Sequence, residues 1–147
     1  MGYLSDEIQD IILRLKIPAT VIDEKRSSKL KQELAQKYSV NKQRSRILSW
    51  QNLENTESYH NSDGWKMLKE YVGNGEVLLF VNPEDEQTMW KFNNGADLES
   101  LLSESTSFPF CITSEKANYI LCFEEHDCLV GVGEAASWVE EQRKKDL

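Results

Sequence analysis

The last third of the chain concentrates side chains that could take part in catalysis. Four consecutive residues, from Glu124 to Asp127, hold three carboxylates and a histidine, which can supply a general acid, a base and an orienting carboxylate for hydrolysis. Adjacent residues in so tight a link point in different directions, and no nucleophile elbow or phosphate loop accompanies them. The other histidine, His60, lies in an Asn- and Ser-rich stretch. We therefore expect a protein that is not an enzyme, in which these four residues form an exposed acidic hairpin.

A glycine motif follows this hairpin. The run from Gly131 to Ala136 fits G-x-G-x-x-G/A, the dinucleotide-binding pattern, and lies between an expected strand and an expected helix. Only eleven residues follow Ala136, too few for the second strand and the ribose-binding acid that this fold requires. Glu134 would also place a negative charge where the pyrophosphate must bind. The motif therefore indicates a glycine-containing corner between strand and helix, and we expect no cofactor.

Three cysteines could suggest metal binding or disulfide chemistry. An odd count, with no export signal at the N-terminus, is typical of reduced thiols in an intracellular protein. Cys122, His126 and Cys128, with Cys111 on a neighbouring strand, could surround a zinc ion, but paired C-x-x-C or C-x-x-H knuckles are absent. Cys111 and Cys122 alternate with large apolar residues, which favours core packing and no metal.

Charge is distributed unevenly along the chain. Residues 1–50 carry a net charge of +4 and residues 51–147 a net charge of −12, and residues 84–141 hold thirteen acids and two bases. A surface built from this stretch repels nucleic acid and anionic membranes and attracts a basic partner. The alternative is a solvated acidic face that keeps a small protein soluble. The longest apolar runs, such as Val77 to Val81, are too short to cross a membrane.

Hydrophobic periodicity places these residues in an α+β domain. The pattern predicts two N-terminal helices, a mainly antiparallel sheet of about five strands, one inserted helix and a C-terminal helix, because the links between strands are too short for parallel crossovers. The length of 147 residues suits one domain spanning residues 1–147. Core positions are expected at Trp65, Leu79, Leu101 and Trp138. The expected helices cover 5–16, about 27–38, 64–72, 97–103 and 134–145, and the expected strands cover 76–82, 88–92, 108–113, 118–124 and 128–133.

Trp90 is the aromatic residue most suited to contact a partner. Strict alternation puts Trp90 and Phe92 on one face of their strand, beside the acidic turn from Glu84 to Glu86. An aromatic anchor next to acids suits a basic protein partner. The expected partner-binding residues are Glu84, Asp85, Glu86, Trp90, Glu124, Glu125, His126 and Asp127.

Five segments follow one another in a characteristic order: Asp63 to Leu68, Val77 to Val81, Leu98 to Leu102, Phe108 to Ile112 and Tyr119 to Gly133. The last of them consists of an aromatic residue, an apolar run, an acidic hairpin with histidine, an apolar strand and Gly-x-Gly. In this order and this ending, residues 60–138 resemble the small cytoplasmic immunity proteins that are encoded beside LXG-type polymorphic toxins in Gram-positive bacteria. The resemblance implies a cytoplasmic antitoxin without catalytic residues that binds the C-terminal toxic domain of its cognate secreted toxin, often a nuclease, and blocks it stoichiometrically. Because a nuclease needs a basic cleft to hold phosphates, the expected partner is a basic toxin domain.

Two other functions remain open. A regulatory or adaptor module of the SMI1/KNR4 type is also α+β and acidic, and gene context separates it from an immunity protein. A small hydrolase using Glu125, His126 and Asp127 would lose its activity in His126→Ala.

Overall fold

The computed structural model describes residues 3–39, 53–81, 87–105 and 108–146. Within these ranges five helices pack on one seven-stranded antiparallel sheet, so the α+β class is confirmed. None of the described helices combines the length and the apolar character that a bilayer crossing requires. The helices are α1 Tyr3–Leu15, α2 Glu24–Tyr38, α3 Gly64–Val72, α4 Gly95–Glu104 and α5 Glu134–Lys145. The strands are β1 Thr20–Val21, β2 Glu57–His60, β3 Val77–Phe80, β4 Trp90–Phe92, β5 Phe110–Thr113, β6 Tyr119–Phe123 and β7 Cys128–Gly133.

The sheet has two more strands than the sequence predicts. Its order is β1-β4-β3-β5-β6-β7-β2, and the five expected strands form the continuous centre. Thr20 pairs with Lys91 at one edge, and Glu57 pairs with Gly131 at the other. Both edge strands are short and largely exposed, so they lack the apolar pattern by which a strand is detected.

Each face of the sheet is covered by helices. Val77 and Leu79 pack with α1, α3, α4 and α5 on what we call the four-helix face, whereas Leu78 and Phe80 pack with α2 on the opposite, α2 face. All four of these β3 residues are buried. Cover on both faces explains why the strand is a continuous apolar run rather than an alternating one.

The helix ends differ in part from the expectation. Helix α2 begins at Glu24, three residues before the expected start near residue 27, because the Asp23 side chain caps it by accepting a hydrogen bond from the Arg26 N–H at 2.9 Å. Asn94 caps α4 in the same way through the Asp97 N–H at 2.8 Å.

Core predictions are confirmed for the two leucines. Leu79 and Leu101 have no exposed surface, whereas Trp65 and Trp138 are only partly buried against the four-helix face. Trp138 lies beside Tyr71, with ring centroids 5.0 Å apart. Trp65 lies at the edge of the core.

Candidate functional site

The residues from Glu124 to Asp127 form a tight turn between β6 and β7, which we call the acidic turn. The Asp127 N–H donates to the Glu124 carbonyl at 3.0 Å, and the Glu124 N–H donates to the Cys128 carbonyl at 3.0 Å. Asp127 has a φ of 60°, a left-handed conformation that aspartate tolerates better than most residues. The carbonyl of Asp127 also accepts from the Asn61 N–H at 2.9 Å, which ties the turn to the segment between β2 and α3. The backbone of the turn is therefore held at both ends.

His126 and Glu124 form a charge-assisted pair within the acidic turn. One carboxylate oxygen of Glu124 accepts from the His126 backbone N–H at 2.9 Å, and the other lies 3.2 Å from His126 Nδ1. This hydrogen bond, followed by the charges of Glu124, Glu125 and Asp127, raises the pKa of His126. The His126 side chain is 77% exposed and that of Glu124 only 20%, so the imidazole lies on the surface and Glu124 beneath it.

Cys128, at the start of β7, has the wrong electrostatic setting for a nucleophile. Partial burial, the charge of Glu124 and a hydrogen bond with Glu124 all raise the pKa of its thiol. A reactive cysteine needs the opposite, a pKa lowered by positive neighbours. The electrostatic setting of Cys128 therefore does not favour thiol chemistry at the acidic turn.

An aromatic cavity lies beside the acidic turn. It has a volume of about 190 Å³ and is lined mainly by Trp65, Phe108, Phe110 and Phe123, with Leu102 and two serines from the end of α4. The rings of Phe108 and Phe110 are 5.8 Å apart in an edge-to-face arrangement. We call this space the aromatic cavity.

A second cavity lies at the acidic turn. It has a volume of about 200 Å³ and is lined by Phe108, Pro109 and Phe123 together with Glu124, Glu125 and Asp127. We call it the acidic cavity. Phe108 and Phe123 line both cavities, so a space with aromatic walls and a space with carboxylates adjoin at these two side chains.

Trp90 cannot be the aromatic anchor that the sequence suggests. Its side chain has no exposed surface and belongs to the core of the four-helix face, together with Phe92. The predicted alternation is confirmed, because Met89 packs on the α2 face. Trp90 is nevertheless buried, because β4 lies between β1 and β3 and helices cover the face of the sheet that carries Trp90. The other expected acidic group, Glu84, Asp85 and Glu86, lies outside the described residues.

The cysteines are also arranged differently from the expectation. Cys111 and Cys122 occupy opposite positions on β5 and β6, with Cα atoms 4.0 Å apart, and form a disulfide, while Cys128 is a free thiol. The expectation of three reduced thiols is therefore wrong. An odd count excludes complete pairing but not one pair, and the register of the β5–β6 hairpin brings these two together. Across the described ranges, no cluster of three or more His, Cys, Asp or Glu side chains has an arrangement suited to a metal ion.

The glycine motif has a packing explanation. A Cβ on Gly131 would lie 2.9 Å from the carbonyl oxygen of Ala135, because α5 crosses directly over β7. Gly133 has a φ of 65°, and a Cβ there would lie 2.6 Å from the carbonyl oxygen of Asn118. Both glycines thus serve the corner where β7 turns back into α5.

Sequence reasoning missed the aromatic walls of the site. The sequence predicts Trp65 in the core and Phe108 in a strand, whereas Trp65 is only partly buried and β5 begins at Phe110. The available signal was the Phe-Pro-Phe order of residues 108–110, since proline interrupts strand pairing and leaves the preceding aromatic residue outside the sheet.

No protein-family model, curated protein or solved structure matches this chain. The acidic turn and the two cavities are therefore the features of the described residues that bear on its function.

Proposed function

We propose that this protein binds a basic domain of another protein and inhibits it stoichiometrically, as an immunity protein neutralises its cognate secreted toxin. The observation that supports the proposal best is the acidic cavity between the end of β6 and the start of β7, where carboxylates border aromatic side chains. Aromatic side chains supply contact area at interfaces, and surrounding charges select and steer the partner.

The charge balance of the chain favours a basic partner. Of the two bases among residues 84–141, Lys91 is held between Glu76 and Glu115 at 3.0 and 3.3 Å. Its charge is therefore compensated locally and does not offset the acidic turn. A toxin that cleaves nucleic acid needs a basic cleft for phosphates, so a projecting group of carboxylates can occupy that cleft. Attraction between opposite charges also accelerates capture.

The proposal places the protein in the cytoplasm, with no nucleic acid or membrane as its partner. The disulfide between Cys111 and Cys122 must then persist in a reducing compartment, where such bonds are rare. Cys111 and Cys122 are both buried, on the face of the sheet that α2 covers, so a reductant reaches the bond only when this part of the fold opens.

Binding kinetics at two salt concentrations test the charge mechanism. The variant Glu124→Gln, Glu125→Gln, Asp127→Asn removes the carboxylates of the acidic turn. Its control, Asp10→Asn, Glu70→Gln, Glu141→Gln, changes the net charge equally at exposed positions on α1, α3 and α5.

The ligand for these measurements is a basic toxin domain encoded beside the gene. At low ionic strength we expect association to slow about tenfold or more in the acidic-turn variant, and this difference to shrink as salt rises. The control should retain most of the association rate. Equal association rates for the two variants would refute the proposal that the acidic turn steers binding.

An inhibition assay separates an immunity protein from an adaptor of the SMI1/KNR4 type. A one-to-one complex that abolishes toxin activity supports immunity, whereas a complex that leaves the partner active supports an adaptor. A hydrolase would instead show turnover that disappears in His126→Ala.

A further inference from the structure

The size of the aromatic cavity limits what can occupy it. Sites for whole small molecules usually enclose about 300–1,000 Å³, and this cavity has a volume of about 190 Å³. It therefore suits one side chain of a protein partner. Its hydroxyl groups are already engaged, because Ser103 and Ser105 donate to the carbonyls of Ser100 and Leu102 at 3.1 and 3.0 Å. An apolar or aromatic side chain fits these walls best.

The acidic cavity should bind a different kind of side chain, a cationic one, because it has carboxylates beside aromatic surface. Phe108 and Phe123 contribute aromatic lining, and Glu125 and Asp127 contribute negative charge to the same cavity. A guanidinium group satisfies both surfaces, since it stacks on an aromatic ring and donates paired hydrogen bonds to carboxylates. A lysine ammonium group is also attracted to an aromatic face, as Lys66 Nζ is to the Trp65 ring at 5.5 Å from its centroid, but it cannot stack as a plane or donate two parallel hydrogen bonds.

The carboxylates of the acidic cavity differ in whether they already accept hydrogen bonds within the protein. Glu124 bonds to both the backbone and the ring of His126. Glu125 is exposed and Asp127 is half-buried on the cavity wall. A cation that enters would therefore interact mainly with Glu125 and Asp127, while Glu124 keeps the turn in shape.

We propose that the acidic cavity binds one arginine side chain of the basic partner, and that the aromatic cavity binds an apolar side chain beside that arginine in the same segment. The inference rests on the proposed function, because it names the partner feature that this site recognises. The two shared walls, Phe108 and Phe123, allow neighbouring side chains of one segment to occupy both spaces.

A short peptide tests this inference without any toxin. The probe is acetyl-Phe-Gly-Arg-amide, and the matched peptides carry citrulline or lysine in place of arginine. Binding to the full-length protein is followed by two-dimensional ¹H–¹⁵N NMR. The arginine peptide should shift the indole N–H of Trp65 and the backbone amides of Phe123 and Asp127. The citrulline peptide, which keeps the shape but lacks the charge, should bind about tenfold more weakly.

Variants identify the two parts of the site. Phe108→Leu keeps an apolar wall but removes the more exposed of the two rings, so it should reduce the preference for arginine over lysine. The double variant Glu125→Gln, Asp127→Asn should weaken binding of the arginine peptide several-fold. The double variant Asp10→Asn, Glu141→Gln is the charge-matched control, because neither residue lines a cavity. Retained dispersion of the amide spectrum shows that each variant is folded.

The outcomes separate this inference from the proposed function. Equal affinity for the arginine and citrulline peptides, or shifts confined to residues away from both cavities, would overturn the arginine site even if a toxin domain binds the protein. Equal affinity for arginine and lysine would overturn the stacking argument. Selective arginine binding would support the site even where no candidate toxin domain forms a complex.

Discussion

Replacing Gly131 with alanine tests the close contact between β7 and α5. The added Cβ would meet Val139 Cγ2 at 2.8 Å and the Ala135 carbonyl oxygen at 2.9 Å, whereas ordinary contact begins near 3.4 Å. Helix α5 or strand β7 must therefore move by about 0.5 Å, and the contacted atom of Ala135 is backbone, which cannot rotate away. Overpacking of this kind costs about 1–3 kcal/mol of folding free energy.

This cost converts into a measurable change in the melting temperature. The unfolding entropy of a chain of 147 residues is about 0.3 kcal/mol/K. A loss of about 1–3 kcal/mol therefore lowers the melting temperature by about 3–10 °C. Thermal unfolding followed by circular dichroism, with urea titration as a second measure of the free energy of unfolding, gives the comparison with the unmodified protein.

Gly75→Ala is the matched control. A Cβ at Gly75 would have one neighbour, the Val72 carbonyl oxygen at the ordinary distance of 3.6 Å. We expect no loss of stability, and a gain of up to about 1 kcal/mol because alanine restricts the unfolded chain. A Gly131→Ala protein that melts within about 1 °C of the unmodified protein would refute the packing explanation of the glycine motif.

Three further predictions concern the core, the thiols and the acidic turn. Leu79→Ala should lower the free energy of unfolding by about 2–5 kcal/mol in urea titrations, and Trp138→Ala should lower it by less than its size suggests because that ring is only partly buried. Thiol titration of the denatured, unreduced protein should find only Cys128, and reduction should release the other two cysteines. NMR titration should place the pKa of His126 above its ordinary value of about 6.5, and Glu124→Gln should lower it. Because the pKa of His126 is raised in the folded protein, its pairing with Glu124 stabilises the fold below the unfolded-state pKa, and this stabilisation is lost as pH rises through the folded-state pKa. Over the same rise in pH the binding of a basic partner should strengthen, because Glu124, Glu125 and Asp127 lose the neighbouring positive charge of His126.

The centre of the sheet was predictable because its signals are local. Consecutive apolar residues from Val77, short links between β5, β6 and β7, and the Gly131 to Glu134 corner each depend on a few neighbouring residues. The edge strands were not predictable in this way. The formation of β2 depends on its pairing with β7, which no pattern near residue 57 reveals.

The site was predictable in its charge and not in its aromatic walls. The acidic turn follows from four adjacent polar residues between two apolar strands, as the sequence shows. Whether Trp90 or Trp65 reaches the surface depends on which helices cover which face, and this is a tertiary property. Trp90 lies on a central strand beneath helices, whereas Trp65 lies at the margin of the core, where the end of α4 leaves a gap.

The pairing of both edge strands has a consequence for the order in which the chain folds. Thr20 pairs with Lys91 and Glu57 pairs with Gly131, each across roughly 70 residues, whereas β5 pairs with β6 and β6 with β7, the strands that directly follow them in the chain. Local hairpins close faster than distant pairs, because less chain entropy is lost. During synthesis, β1 and β2 leave the ribosome long before their partner strands exist. We therefore expect the hairpins of β5 to β7 to form first as a template, and the N-terminal segments to dock last as the two borders of a finished sheet.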